Sequence, residues 1–71
     1  MPRAQKYLVI AWRGTWDHGR PATYANRKQA EADARARMYE LLGNGYAQVR
    51  DADTQVVLAE WHNGHRVDLG R

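Results

Sequence analysis

Only one stretch of this chain can form a long helix, and that fixes what the rest must be. From Arg27 to Leu42 there is no glycine or proline, and alanine recurs at 30, 32, 34 and 36. Alanine has the lowest helix cost of any residue. Asn26 stands in front as an N-cap, because its side-chain oxygen can accept from a first-turn backbone N–H. Gln29, three residues on, completes a capping-box pattern. Glu31 precedes Arg35 by four and Asp33 precedes Arg37 by four, both with the acid on the favourable N-terminal side. Gly43-Asn44-Gly45 follows, and such residues accept the positive φ that closes a helix.

The sequence therefore predicts one helix over Asn26 to Leu42. At ~100° per residue Ala30, Ala34, Met38 and Leu41 share one stripe, with Leu42 at its margin, and that stripe should face a core. The far side carries Lys28, Ala32, Arg35, Ala36 and Tyr39. That side reads either as a solvated face of good helix formers or as a flat strip on which another helix lies.

The remaining residues must supply what the helix packs on. Tyr7-Leu8-Val9-Ile10-Ala11-Trp12 is β-branched and aromatic, which favours a strand. It does not alternate with polar residues, so both faces of that strand should be covered at least in part. Residues 13–23 contain Gly14, Gly19 and Pro21 and read as a loop, with a short edge strand at Thr23-Tyr24-Ala25. Tyr46 to Arg50 and Gln55 to His62 read as two further strands. Asp51-Ala52-Asp53-Thr54 between them is turn chemistry, so the pair forms a hairpin. Ala47, Val49, Val57, Ala59 and Trp61 should point to the helix, and Gln48, Arg50, Glu60 and His62 away. Residues 1–6 and 63–71 read as loose tails.

The expected architecture is α+β, in the order β-(β)-α-β-β. It is a small three- to four-stranded antiparallel sheet with one helix packed across one face, in a single domain over residues 1–71.

Length makes this domain marginal. A chain of 71 residues buries only ~60% of the surface it exposes when unfolded. There is no cysteine, hence no disulfide and no thiolate metal site, and the core must suffice unless the protein associates. The lack of cysteine fits a cytoplasmic protein. Met1-Pro2-Arg3-Ala4 has no apolar h-region, so no signal peptide is expected. No apolar run is long enough for a membrane span. Nine arginines against two lysines, with abundant alanine and no phenylalanine, is the composition of a GC-rich genome such as an actinobacterium's or its phage's.

Most catalytic chemistries lack their residues. There is no serine or cysteine nucleophile. Thr15, Thr23 and Thr54 lie in turns without a motif. Asp17 and His18 are adjacent, but adjacency does not build a triad. Gly43-Asn44-Gly45 follows a helix, whereas a phosphate-binding loop precedes one. His62 and His65 have an H-x-x-H spacing, but they straddle a strand end and a tail, and a metal site needs three or four convergent ligands. The expectation is therefore no enzyme activity, no metal, no cofactor and no small-molecule substrate.

Two binding readings remain. A sheet with a helix on one side leaves its other face open. Tyr7, Val9, Tyr46, Val56 and Leu58 are expected there as a protein interface, because an apolar patch larger than a few hundred Å² marks association. This favours a homodimer or a regulator of a partner protein. The alternative is a nucleic-acid-binding accessory protein. Net charge is +3 with a pI near 9.7. Arg13, Trp16, His18 and Arg20 of the loop, with Arg66 of the tail, would contact phosphates and bases if the first and last strands are neighbours.

Overall fold

The computed structural model describes residues 6–67. Seven elements follow in chain order: β1 (Tyr7–Arg13), β2 (Trp16–Asp17), β3 (Ala22–Tyr24), α1 (Arg27–Glu40), β4 (Tyr46–Asp51), β5 (Val57–His62) and β6 (His65–Val67). The class is α+β as expected, with one helix, but the sheet has six strands rather than three or four. Its order is β2-β1-β4-β5-β6, with β3 also paired to β1, and every pairing is antiparallel.

Both extra strands come from tight turns. Gly14, with φ +59, turns β1 into β2, so that Arg13 faces Trp16. At the other edge Asn63 and Gly64 both have positive φ, 50 and 85, and bring His65 opposite His62. Positive φ at both central residues is what the favoured two-residue hairpin turn demands, and Asn-Gly is its strongest sequence signal. The expected C-terminal tail is therefore a strand as far as Val67. Of the two expected tails, residues 1–5 and 68–71 lie outside the described residues.

The helix starts as its sequence dictates. Asn26 Oδ1 accepts from the backbone N–H of Lys28 at 2.8 Å and of Gln29 at 3.4 Å. Its end differs from expectation. α1 stops at Glu40, Leu41 is the C-cap, and Leu42 has left the helix with φ 56. Gly43 N–H donates to Met38 O and Leu42 N–H to Tyr39 O, each at 3.0 Å. This is the Schellman closure, with a leucine where glycine usually sits.

One face of the sheet meets the helix. Val9, Ala11, Ala47, Val49, Ala59 and Trp61 form the core with Ala30, Ala34 and Met38, and Tyr7, Tyr24 and Leu41 pack against it. Val9 stands opposite Val49 and Ala11 opposite Ala47, so directly opposed residues share this face. Tyr7 and Val9 are therefore on the helix side, with Val9 wholly buried, and not on the open face. The register of β5 is as expected for Ala59 and Trp61. Val57 instead pairs with Arg50 across a shift of register, which puts Leu58 in the extra position.

Candidate functional site

The open face of the sheet is ordered in rows by the register. Asp17, Trp12, Tyr46, His62 and His65 face one another in turn across β2, β1, β4, β5 and β6. The three central rings stack. Trp12 and Tyr46 centroids are 5.1 Å apart with planes at 10°, and Tyr46 and His62 are 4.2 Å apart at 6°. At those separations parallel rings lie face to face, so both faces of Tyr46 and one each of Trp12 and His62 are occupied. A base stacks on a free ring face, and this row offers few. The next row holds Ile10, Gln48 and Glu60. Arg50 Nε donates to Gln48 Oε1, and the Gln48 amide donates to Glu60, so the polar groups in the middle of the face satisfy one another.

The exposed apolar residues are elsewhere. Among the described residues four large apolar side chains are exposed: Trp16 (80%), Tyr39 (85%), Leu42 (84%) and Val56 (42%). Three of these gather around the C-terminal end of α1. Trp16 and Leu42 line one cleft with Arg13, Asp17, His18, Gly19, Glu40 and Leu41. Leu42 and Tyr39 line the next with Arg35, Met38, Gly43, Trp61 and Gly64. Gly64 of the β5–β6 turn also lines this second cleft. Asn63 Oδ1 accepts from Gly45 N–H, and Asn63 N–H donates to Gly45 O, both at 2.9 Å. This pins the hairpin against the turn that follows the helix.

A third cleft, sharing Arg35, Trp61 and Gly64 with the second, extends towards the helix N-terminus. Arg27, Lys28, Glu31 and Arg66 complete its lining. Glu31 was expected to pair with Arg35. It pairs instead with Arg27 at 3.0 Å and with Arg66 at 2.9 Å, because β6 delivers Arg66 over the Trp61 ring, 5.4 Å from its centroid. Lys28 and Arg35 have no carboxylate partner among the described residues. The first turn of α1 contains no acid, and cations there oppose the helix dipole. The second expected pair, Asp33 with Arg37, forms at 3.3 Å. Asp33 also accepts from the Tyr24 hydroxyl at 2.9 Å. That bond, with burial and the charge of Asp33 adding to it, raises the Tyr24 pKa above the ordinary tyrosine value.

The residues singled out from sequence are thus dispersed. Of the expected interface set, Tyr46 is on the open face, Tyr7 and Val9 are on the core side, Val56 is exposed just before β5, and Leu58 is half-buried at the register shift. Of the expected nucleic-acid set, Arg13, Trp16 and His18 share a cleft with Asp17 and Glu40, and His18 Nε2 lies 3.0 Å from Glu40 Oε1. Arg20 is exposed and lines none of these clefts. Arg66 is at the opposite edge of the sheet, since β4 and β5 separate β1 from β6. The two halves of that set do not meet.

His62 opposes His65, but no group of three His, Cys, Asp or Glu side chains gathers among the described residues. No helix among them is long and apolar enough to cross a membrane. The residues that sequence reasoning passed over are Leu42, given to the margin of the core stripe, and the free cations Lys28 and Arg35. Comparison with known proteins adds no likeness: no family model, no curated protein and no solved structure matches the chain.

Proposed function

We propose that this chain is a small, non-enzymatic binding module of the cytoplasm that works through protein contacts. The observation that carries the reading is the exposed cluster of Trp16, Tyr39 and Leu42 around the end of α1. Single exposed apolar residues are ordinary, but three that line two adjoining clefts make a patch of the kind that marks an interface. Trp and Tyr are also enriched among residues that dominate binding energy. Leu42 adds a conformational argument. A non-glycine residue at φ 56 is held against a steric cost, and here a glycine would close the helix equally well.

The test is a pull-down from source lysate with the tagged full chain, treated with nuclease. Wild type should retain a protein partner that the triple variant Trp16→Ser, Tyr39→Ser, Leu42→Ser loses while keeping its circular dichroism spectrum. Retention of nucleic acid alone, or equal capture by both chains, would refute the reading.

A further inference from the structure

The basic and apolar clefts form one groove, because both are lined by Arg35, Trp61 and Gly64. It runs beside α1, between the helix and the β5–β6 hairpin, for about 20 Å at ~1.5 Å per helical residue. Its two ends differ in chemistry. Near the helix start it presents Arg27, Lys28, Arg35 and Arg66 against one carboxylate, Glu31. That leaves three uncompensated positive charges, as many as the net charge of the whole chain. Near the helix end it presents Met38, Tyr39 and Leu42. The cleft on the other side of Leu42 has no such bias, because Arg13 and His18 are matched there by Asp17 and Glu40.

We propose that this groove binds an acidic, amphipathic segment of a partner protein, its carboxylates on Lys28 and Arg35 and its apolar side chains on Tyr39 and Leu42. The proposal rests on the protein-contact reading and names the chemistry of the partner. Charge complementarity selects the occupant. A nucleic-acid strand carries phosphate along its whole length, whereas the Met38–Leu42 half presents one ring, Tyr39, and no cation besides Arg35 to meet it. A second copy of this chain is a poor donor of acid: Glu31, Asp33 and Glu40 are in ion pairs, Glu60 holds Gln48, Asp51 caps its own turn, and Asp17 sits in a cleft beside Arg13 and His18. Lys28 and Arg35 are exposed and free of carboxylates among the described residues, so a partner's carboxylate displaces no internal bond.

The test is selection of a displayed library of random peptides, each about 14 residues to span the groove, against the immobilised full chain. Enriched peptides should carry Asp or Glu in one half and Leu, Met or aromatic residues in the other. Arg35→Glu should weaken them about tenfold or more, the loss expected from one charge pair. Leu42→Gly should weaken them similarly while melting no lower than wild type, which separates lost contact from lost fold. Apolar peptides that respond to Leu42→Gly but not to Arg35→Glu would overturn the acidic partner and leave the protein-contact reading standing. Oligothymidylate bound more tightly than any peptide, and weakened by Arg35→Glu, would overturn both. A library with no enriched peptide would overturn the groove as a docking site.

Discussion

Single residues decide where this small fold can bend and where it can titrate. Gly45 has φ +107, and a Cβ there would lie 2.5 Å from the Trp12 carbonyl oxygen, so the chain enters β4 beside the end of β1 only because no side chain stands there. Tyr24 is the counterpart in electrostatics. Its hydroxyl donates to Asp33, a bond that exists only while the tyrosine is protonated, and its pKa is raised in the fold for that reason. The linkage sign follows. A group whose pKa is higher folded than unfolded stabilises fully below its unfolded value, near 10, and loses that contribution as pH rises through the folded value. Wild type should therefore lose stability above pH ~10 more steeply than Tyr24→Phe. Urea melts of both chains between neutral and strongly alkaline pH check this, and parallel curves would show that the bond contributes nothing.

At the scale of elements, the sequence revealed those features whose cause is local. The Asn26 cap, the Ala30-Ala34-Met38 stripe and the Asp51 turn each follow from a few neighbouring residues, and each stands in the fold. Asp51 Oδ1 accepts from the N–H groups of Asp53 and Thr54 at 2.8 and 3.1 Å. What was not legible depended on distant pairing. β6 exists because β5 is there to receive it, and although Asn63-Gly64 is a readable turn signal, the polarity of residues 63–71 reads as a tail. The face of Val9 was ambiguous because Leu8, Val9 and Ile10 are consecutive and apolar, so either parity suits a strand. Glu31 chose Arg27 and Arg66 over Arg35 because a hairpin from the far end of the chain arrives beside it. The phase of α1 is testable in one comparison. Met38→Asp places an unpaired charge in the core and should unfold the domain, a loss of several kcal/mol. Arg35→Asp, on an exposed position, should change stability by less than about 0.5 kcal/mol. Similar thermal melts by circular dichroism would contradict the observed phase.

For the whole molecule the question is whether one helix and one sheet suffice. Five of the nine buried core residues are alanines, and the larger buried side chains are four, Val9, Val49, Met38 and Trp61. Such a core draws the helix close to the sheet but removes little apolar area from water, so the margin of stability is small. The opposite face of the sheet has no covering element among the described residues, and Leu8, Ile10, Trp12 and Tyr46 lie on it, neither buried nor fully exposed. Its polar centre is already linked through Arg50, Gln48 and Glu60, which lowers the cost of covering it. At ~25 cal/mol per Å² of apolar area, burying a few hundred Å² would add several kcal/mol. A second copy can supply that cover by sheet-on-sheet packing about a two-fold axis. We predict a homodimer at micromolar concentration whose melting temperature rises with protein concentration, as association with the folded state requires. Ile10→Lys, on the open face and away from the Trp16, Tyr39 and Leu42 cluster, should return a folded monomer. Light scattering across a concentration series distinguishes the cases. A monomer mass for wild type at the highest concentration would mean that the domain stands on its thin core alone.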